Sequence, residues 1–265
     1  MRLKTFQSLL IILALSLLSP QAARTGEVLF QYSTFDALLA GLYEGGLNIA
    51  ELKKRGDFGL GTFNNLDGEM VVLEGKVYQL KTDGKVYPVA DDMKTPLAAV
   101  TFFKADQTLA LPQAGSFNAM TALLDQALPS KNLFFAVKIE GRFKEVKVRS
   151  VPRQTPPYQP LVQVVKKQAV FPLKDVEGTL VGFYCPAYLK TVPVPGWHFH
   201  FLTKDRTQGG HVQDLALDHL TAQIDTLPGF SLLLPQNQEF YQADLTKDRL
   251  HEVEKVENGI KRVNP

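Results

Sequence analysis

Residues 196–202 alternate two kinds of side chain, and this alternation restricts the chain to folds that contain a β-sheet. His198 and His200 are interleaved with Phe199 and Phe201. Side chains on an extended strand point to opposite faces in turn, so one face would carry imidazole and the other aromatic rings. The pattern predicts a strand that packs on a core with one face and lines a site with the other.

A third histidine follows after a short turn. His211 comes directly after Gly209 and Gly210, where a returning strand would bring it beside the first two. Three imidazoles leave a coordination position open for water or substrate, as in catalytic zinc sites. Zinc (Zn2+) is favoured, although imidazole also suits copper, iron and nickel, and a polar strand face is the simpler alternative. His219 is expected at the surface or behind the ligands, and His251 on a solvated helix.

The first 23 residues have the three-part pattern of a secretory signal. Arg2 and Lys4 precede an apolar run over residues 9–18, which is short for a membrane span, and the small residues Ala22 and Ala23 follow. We expect cleavage near Ala23 and an exported protein, secreted or periplasmic, without membrane attachment. The alternative is an uncleaved membrane anchor.

Charge and cysteine content exclude several classes of protein. The chain has 29 basic and 27 acidic residues, and removal of Arg2 and Lys4 would leave 27 of each. A nearly neutral chain lacks the basic surface that nucleic-acid binding requires, so no nucleic-acid partner is expected. Cys185 is the single cysteine, so no intramolecular disulfide can form, and a small buried thiol is favoured over a catalytic one.

Strand patterns outnumber helix patterns along the rest of the chain. Turn residues divide residues 59–90 into a β-meander, and residues 134–139 and 144–151 alternate around Glu140-Gly141-Arg142 as a hairpin would. Further strands are predicted at 28–32, 97–104, 162–167, 179–184, 196–203, 210–217 and 231–234. Helices are predicted at 35–42, 48–55, 118–128 with Ser116 as the cap, and 246–258, capped by Thr246 and ended by Gly259.

These elements predict an α+β class, strand-rich, with two mixed β-sheet subdomains, a few helices and a metal site in the cleft between the sheets. Four prolines within residues 151–160 make a central strand impossible there and mark a boundary. The predicted organisation is a signal peptide at 1–23, an N-terminal mixed-sheet subdomain at 24–152, and a C-terminal β subdomain at 153–265. The last carries the three histidines and the terminal helix.

Two charged positions outside the histidine strands are candidates for substrate chemistry. A metal with three neutral ligands keeps its positive charge and favours an anionic or chelating substrate, whose carboxylate a guanidinium matches well. Arg149 and Arg153 flank the proline-rich segment, and Glu69 stands at the mouth of an apolar strand. A solvated strand end remains the alternative for the arginines, and a solvated turn for Glu69.

Five separated segments, in one register over about residues 28–257, resemble the α-acetolactate decarboxylase family. They are residues 59–70, residues 146–152, residues 178–184, the three histidines, and the Glu-rich terminal helix. The resemblance implies a zinc enzyme that converts 2-acetolactate, a small 2-hydroxy-3-oxo acid, to (R)-acetoin and carbon dioxide. It also implies a homodimer.

The resemblance assigns roles residue by residue. His198, His200 and His211 would be the zinc ligands, and Glu69 the carboxylate near metal and substrate. Arg149 would orient the substrate and Thr62 would line the pocket. The family has a second functional glutamate near the C-terminus, and Glu257 matches it best. Glu254, three residues earlier on nearly the same helix face, is the alternative.

Other classes remain possible from the residues. The paired histidines between aromatics are also similar to the metal strand of α-type carbonic anhydrases, which hydrate carbon dioxide. An exported metal-binding protein without enzymatic activity would keep the histidines but give Glu69 and Arg149 no role. A cupin-like barrel is a third alternative, disfavoured because no glutamate follows His200 at the short spacing that this fold uses.

Overall fold

The computed structural model describes residues 27–257, and β-strands dominate it, which confirms the strand-rich α+β class. The strands are β1 (Val28–Tyr32), β2 (Leu47–Asn48), β3 (Phe58–Thr62), β4 (Glu69–Leu73), β5 (Lys76–Leu80), β6 (Val86–Pro88), β7 (Lys94–Thr95), β8 (Ala98–Thr101), β9 (Gln107–Leu111), β10 (Phe134–Ser150), β11 (Ala169–Cys185), β12 (Gly196–Thr203), β13 (Gly209–Leu217), β14 (Leu220–Leu227) and β15 (Gly229–Leu233). The α-helices are α1 (Phe35–Leu39), α2 (Ile49–Lys53), α3 (Phe117–Ala127), α4 (Leu161–Val164), α5 (Gln238–Gln242) and α6 (Leu250–Glu257).

Seven strands form a mixed sheet in the order β15-β1-β8-β3-β4-β5-β6. The pairing of β1 with β15 is parallel, and the other neighbours are antiparallel. The predicted meander is confirmed in β3 to β6. Its turns contain Gly68, Gly75 and Gly84 at φ of 83°, 72° and 78°, a left-handed conformation that glycine adopts without a steric penalty.

Six strands form an antiparallel sheet in the order β11-β12-β13-β10-β14-β9, and β11 also pairs with β10. The pairings of β10, β11, β12 and β13 therefore close into a ring. Along its other edge β10 pairs first with β14, through Phe134–Glu140, and then with β13, through Phe143–Arg149. This second sheet is antiparallel throughout, whereas the sequence predicted two mixed sheets.

The hairpin predicted around Glu140-Gly141-Arg142 is wrong, because β10 runs straight through these residues. All three pair with consecutive residues of β11, with Gly141 opposite Gly178. Gly141 has a φ of 150°, and a Cβ there would lie 2.5 Å from Leu220 Cδ2. The glycine is needed for a close approach at the point where β10 changes partners, and not for a chain reversal.

The two sheets pack face to face through an apolar layer. Leu29, Leu60 and Val71 of the mixed sheet meet Val181 and Leu202 of the antiparallel sheet in this layer. Phe199 and Phe201 belong to a separate core on the opposite side of β12. The predicted alternation is confirmed, since the histidine face of β12 is also the face turned toward the mixed sheet.

The strand predicted at 162–167 is also wrong. Residues Leu161–Val164 form α4, and Val165–Lys167 continue it as a 3₁₀ turn. Leu161, Val164 and Val165 are buried together in one cluster, which fits the i, i+3, i+4 spacing of a helix better than an alternating strand. The β-branched valines favour a strand by their local propensity, but tertiary packing of the three buried side chains stabilises a helix instead.

Cap residues set the ends of several helices. Ser116 accepts a hydrogen bond from the backbone N–H of Ala119, which confirms it as the cap of α3, and Asn48 caps α2 in the same way. The terminal helix α6 begins at Leu250 and not at Thr246, whose hydroxyl donates to the Asp244 carboxylate instead. Asn258, Gly259 and the signal segment 1–23 lie outside the described residues.

The proline-rich segment connects β10 to α4, and each sheet contains strands from both sides of it. β9 and β10 precede it and join β11 to β14, while β15 returns to pair with β1. The division of the chain at residue 152 stays a prediction. Within residues 27–257, no helix has the length and apolar character needed to cross a bilayer.

Candidate metal centre and active site

The three predicted histidines meet between the two sheets. His200 on β12 pairs directly with His211 on β13, and His198 lies two residues earlier on the same face of β12. One side-chain nitrogen from each lies within 4.8 Å of the others, a spacing that can hold a metal ion. His200 and His211 are buried, and His198 keeps a small exposed fraction of 13%.

Hydrogen bonds decide which ring nitrogens remain for a metal. His200 Nδ1 lies 2.7 Å from the Met70 carbonyl oxygen, which can only accept, so Nδ1 carries the proton and Nε2 is left free. His198 Nε2 and His211 Nδ1 face each other at 3.0 Å. Two nitrogens bound to one tetrahedral zinc at about 2.0–2.1 Å would lie at roughly 3.4 Å from each other, so this pair is already close to ligand spacing.

The imidazoles are held in the neutral form that binds metals. Burial, together with the positive charge of Arg149, lowers the pKa of His198 to about 3. Burial also lowers the pKa of His200 and of His211 well below the ordinary value. A neutral, converging set of three nitrogens fits zinc by ligand number and ligand type.

Two carboxylates and one guanidinium surround the histidines. Glu69 begins β4 opposite Thr62 of β3, and Arg149 lies near the end of β10 opposite His211. Arg149 Nη1 is 3.9 Å from Glu69 Oε1, and Arg149 Nη2 is 4.0 Å from Glu257 Oε1. Arg149 therefore stands between two carboxylates without a direct hydrogen bond to either, because these distances exceed hydrogen-bond length.

The remaining carboxylate oxygens point to the histidines. Glu69 Oε2 is 3.7 Å from His200 Nε2, while Glu257 Oε2 is 3.6 Å from His198 Nε2 and 3.8 Å from His211 Nε2. Glu257 is the last described residue of α6, so this helix places the second carboxylate over the histidines. Glu254, one turn earlier, is exposed to solvent.

Two buried polar atoms of this site lack a hydrogen-bond partner within residues 27–257. They are Glu69 Oε1 and Arg149 Nε. Buried charged groups without partners are costly, and at native sites they mark the place of an ion, water or ligand. These two unpartnered atoms, together with the three histidines, therefore support a site for a metal and an anionic substrate.

Both carboxyl groups can hold a proton near neutral pH. Burial raises the pKa of Glu69 to about 7; the negative charge of Glu257 adds to the rise, while Arg149 opposes it. Burial likewise raises the pKa of Glu257 to about 7, again opposed by Arg149. A carboxyl group with such a pKa suits proton transfer.

The metal-binding end opens into a mostly apolar pocket. Its lining includes Thr62, whose hydroxyl donates to the Gly68 carbonyl oxygen at 2.7 Å, and the predicted site residues described above. Cys185 is buried, as predicted, and also lines this pocket; burial raises the pKa of its thiol. No pattern in the sequence pointed to Gln31, a buried polar residue in the wall of the pocket.

Other candidates lie elsewhere. Arg153 donates to Asn65 Oδ1 at 2.6 Å near the surface. His219 is exposed and pairs with Asp218, and His251 is exposed on α6. The structure thus brings together Thr62, Glu69, Arg149, Glu257 and the three histidines, and leaves Arg153, His219, His251 and Glu254 outside.

Residues 29–247 match the family model described as alpha-acetolactate decarboxylase. The chain belongs to the α-acetolactate decarboxylase family. A relative of that description from Methanosarcina mazei is 49% identical over 231 residues, covering 87% of this chain and 80% of the relative. Another from Brevibacillus brevis is 44% identical over 235 residues, covering 89% and 82%.

A solved structure supports the fold of the family. The crystal structure of alpha-acetolactate decarboxylase from Bacillus subtilis strain 168 superposes with a TM-score of 0.85 at 38% identity. The match covers 87% of this chain and 99% of that one. The resemblance read from the sequence is confirmed at the level of the family.

Proposed function

We propose that this chain is an acetolactate decarboxylase (EC 4.1.1.5) that uses zinc to convert 2-acetolactate to (R)-acetoin and carbon dioxide. The observation that carries the proposal is the converging histidine set beside the unpartnered Glu69 and Arg149 atoms, in a chain of this family. His198, His200 and His211 would hold the zinc. When bound, the ion supplies Lewis-acid chemistry that stabilises negative charge developing on the ketone oxygen.

Arg149 binds and orients the substrate in this scheme. Acetolactate presents one carboxylate, and a guanidinium offers a planar pair of donors that matches it. Arg149 is buried and makes no direct hydrogen bond to Glu69 or Glu257, so its donors remain free to face the substrate. Thr62 fixes the adjacent wall, because its hydroxyl is committed to the Gly68 carbonyl.

Decarboxylation breaks the bond between the carboxylate carbon and C2. Carbon dioxide leaves, and the electron pair moves toward the ketone oxygen, so no organic cofactor is needed as an electron sink. A proton must then reach C2. Glu257 or Glu69 delivers it from a fixed side, which yields one enantiomer of acetoin.

The test compares two histidine variants. His200→Ala should lose bound metal and acetoin formation together, whereas His251→Ala, on the exposed face of α6, should keep both. Metal analysis identifies the ion, and chiral chromatography identifies the acetoin enantiomer. Full activity of metal-free His200→Ala, or carbon dioxide hydration without acetoin formation, would overturn the proposal.

Export is proposed from residues 1–23 alone. A charged start, a short apolar run and small residues before Arg24 support cleavage near Ala23. Expression of the full chain in a secreting host should yield a mature protein that begins near Arg24 outside the cytoplasm. Intact mass measurement of the exported and cell-retained fractions decides; an intact Met1 start in both contradicts it.

A homodimer is proposed from one edge of the mixed sheet. β15 is the terminal strand of this sheet, and its residues Leu232 and Leu233, together with Leu234 directly after it, are at least 36% exposed. Exposed edge strands with apolar side chains are natural pairing surfaces for a second copy. Light scattering should give twice the chain mass, and Leu232→Lys with Leu234→Lys should give a monomer. An unchanged mass in this variant contradicts the assignment.

A further inference from the structure

The connection between β3 and β4 has a costly backbone conformation. Residues Asn64–Leu66, called the 64–66 turn below, form a 3₁₀ turn in which Asn65 and Leu66 have φ of 63° and 54°. Left-handed backbone is unfavourable for residues other than glycine and persists only where the surroundings hold it. Thr62 and Glu69 stand at the two ends of this connection and both line the pocket. The contacts that hold the 64–66 turn are therefore close to the site in sequence.

The carboxylate of Glu44 accepts hydrogen bonds from the side chains of this turn. Its Oε2 accepts from Asn64 Nδ2 at 2.9 Å, and its Oε1 accepts from Asn65 Nδ2 and, at 2.5 Å, from the Tyr158 hydroxyl. Partial burial and the contact with Glu44 raise the pKa of Tyr158 to about 12, so its hydroxyl stays protonated as a donor. The Glu44 backbone carbonyl accepts from Asn237 Nδ2 at 3.1 Å. Both carboxylate oxygens of Glu44 are thus engaged, and its backbone is held as well.

The chain next to this carboxylate also supports the 64–66 turn. Asn64 Oδ1 accepts from the Gly45 backbone N–H at 2.9 Å, and Asn64 Nδ2 donates to the Gly45 carbonyl at 3.0 Å. A Cβ at Gly45 would lie 1.7 Å from the Thr95 carbonyl oxygen, so the chain is packed tightly here. The carboxylate therefore stands on a rigid part of the molecule.

The 64–66 turn also contacts the segment that follows β10. The Asn65 carbonyl accepts from the Gln154 backbone N–H at 2.7 Å, and Asn65 Oδ1 accepts from Arg153 Nη2 at 2.6 Å. Arg149 lies near the end of β10, shortly before these two residues. The turn thus connects the end of β3 and the start of β4 with the end of β10.

Short hydrogen bonds link the 64–66 turn to Glu69. Leu66 is buried and lines the pocket, and its carbonyl accepts from the Gly68 backbone N–H at 3.0 Å. The Gly68 carbonyl accepts from the Thr62 hydroxyl at 2.7 Å. Gly68 directly precedes Glu69, so a shift of the turn would move the Glu69 carboxylate.

The position of Glu69 matters because it lies near Arg149 without contacting it. The two buried side chains approach to 3.9 Å, and Glu69 Oε1 lacks a hydrogen-bond partner among the described residues. Opposite charges attract strongly where water is excluded, so a direct contact would form if β4 and β10 moved closer. The donors of Arg149 would then no longer be free for a substrate carboxylate. The separation therefore depends on how firmly the start of β4 is held relative to the end of β10.

We propose that Glu44 is a positioning residue, which holds the 64–66 turn in its left-handed form and thereby sets the place of Glu69 relative to Arg149. The proposal rests on the proposed decarboxylase function. Glu44 is not among the residues that line the pocket, so it would act through the turn and not on the substrate. A displacement of about 1 Å at a reacting group can cost about a hundredfold in rate, so loss of Glu44 should lower kcat by about 10- to 100-fold.

The test begins with Glu44→Gln, which keeps the shape of the side chain but replaces one acceptor oxygen by an NH2 group. We expect the fall in kcat with acetolactate, with KM within about threefold of the parent because Arg149 stays on β10. Bound metal should stay at the parent level, because the histidines lie on other strands. An unchanged kcat, or a loss of activity that only follows a loss of bound metal, overturns the proposal.

A milder variant and a charge control accompany this change. Tyr158→Phe removes one donor to Glu44 and should lower kcat by an intermediate factor, while the ring can still pack against Tyr43. Glu51→Gln removes the same charge from an exposed side chain that pairs with Lys54, and it should leave kcat unchanged. Equal effects of Glu51→Gln and Glu44→Gln would assign the loss to net charge and overturn the proposal.

A double-mutant cycle separates positioning from a general structural role. If Glu44 acts through Glu69, Glu44→Gln should lower kcat by less than about twofold once Glu69 is replaced by Gln. The same factor in both backgrounds would mean that Glu44 acts independently of Glu69, which overturns the proposal. Absence of acetoin formation by the parent enzyme refutes the proposed function instead, so the two failures are distinguishable.

Discussion

At the scale of single residues, two glutamates on one helix have opposite environments. Glu257 contacts the histidines and Arg149, and Glu254 is exposed one turn earlier. Glu257→Gln keeps the shape but removes the proton carrier, so we expect kcat to fall by about 10²- to 10⁴-fold with bound metal retained. Steady-state kinetics and metal analysis check this.

The matched change Glu254→Gln should leave kcat within twofold of the parent, on the order of experimental scatter for a solvated surface residue. Comparable losses in the two variants would mean that the helix as a whole, and not the carboxylate of Glu257, supports the reaction.

Asp225 makes stability depend on pH away from the active site. Its Oδ2 accepts from the Lys104 backbone N–H, and burial raises its pKa to about 6, with Asp106, Glu27 and Asp57 adding to the rise. The unfolded chain releases this proton near the ordinary value of 3.8. Between these two values the folded protein binds more protons, so the free energy of unfolding falls as pH rises.

Asp225→Asn removes the titrating carboxyl group and with it this fall in the free energy of unfolding. The Asn Oδ1 can still accept the hydrogen bond from the Lys104 backbone N–H. Relative to the parent, the variant should gain stability as pH rises from about 4 to about 6 and keep a constant advantage above about 7. Urea unfolding across pH measures this difference, with the exposed Asp92→Asn as control. A difference independent of pH would contradict the assigned titration.

The sequence predicted some site residues from local pattern and others only through resemblance. The alternation of His198 and His200 with phenylalanines is a local signal, and the structure places both as expected. Glu69 and Arg149 look like ordinary strand-end charges, because their partners are distant in sequence. Gln31 had no signal at all, since its two acceptors depend on the tertiary approach of Val192.

At the scale of secondary-structure elements, predictions were wrong where one local sequence pattern is compatible with two different structures. The residues Glu140-Gly141-Arg142 are typical of a turn, yet they lie inside a continuous strand. Gly141 is needed there because the Leu220 side chain leaves no room for a Cβ. The meander of β3 to β6 was predictable because three glycines stand at left-handed turns. A glycine in the sequence does not by itself show whether it forms a left-handed turn or permits a close approach of another side chain.

The pairing of β11 with β12 depends on a glycine without turn geometry. Gly182 lies opposite Phe199, and a Cβ at Gly182 would meet the Phe199 ring at 2.1 Å. Phe199 is buried, so its ring has little room to move. Gly182→Ala should therefore lower the free energy of unfolding by about 1–3 kcal/mol, as overpacking usually does.

Urea denaturation measures this loss. Gly115→Ala is the control, because a Cβ there meets nothing within 4 Å and should be tolerated. Since β12 carries His198 and His200, the Gly182 variant should also bind metal more weakly. Equal stability of the two variants would show that the Phe199 ring adapts.

At the scale of the whole molecule, the site joins parts that are distant in sequence. Thr62 and Glu69 come from the mixed sheet, Arg149 and the histidines from the antiparallel sheet, and Glu257 from α6. The unfolded chain has no such arrangement, so a metal that binds the folded site stabilises the whole fold. The free energy of metal binding also offsets the cost of burying Glu69 Oε1 and Arg149 Nε without hydrogen-bond partners among the described residues.

Metal removal should therefore lower the melting temperature of the whole protein. A metal at a hundred times its Kd adds about 2.7 kcal/mol to the free energy of unfolding, which corresponds to roughly 5–10 °C for a chain of this size. Calorimetry before and after chelation, and after zinc is restored, measures the shift. His200→Ala should melt at the same temperature with and without chelator, because it lacks the site. If chelation moves the parent and His200→Ala equally, the shift does not come from the histidine centre, and the link between metal binding and folding fails.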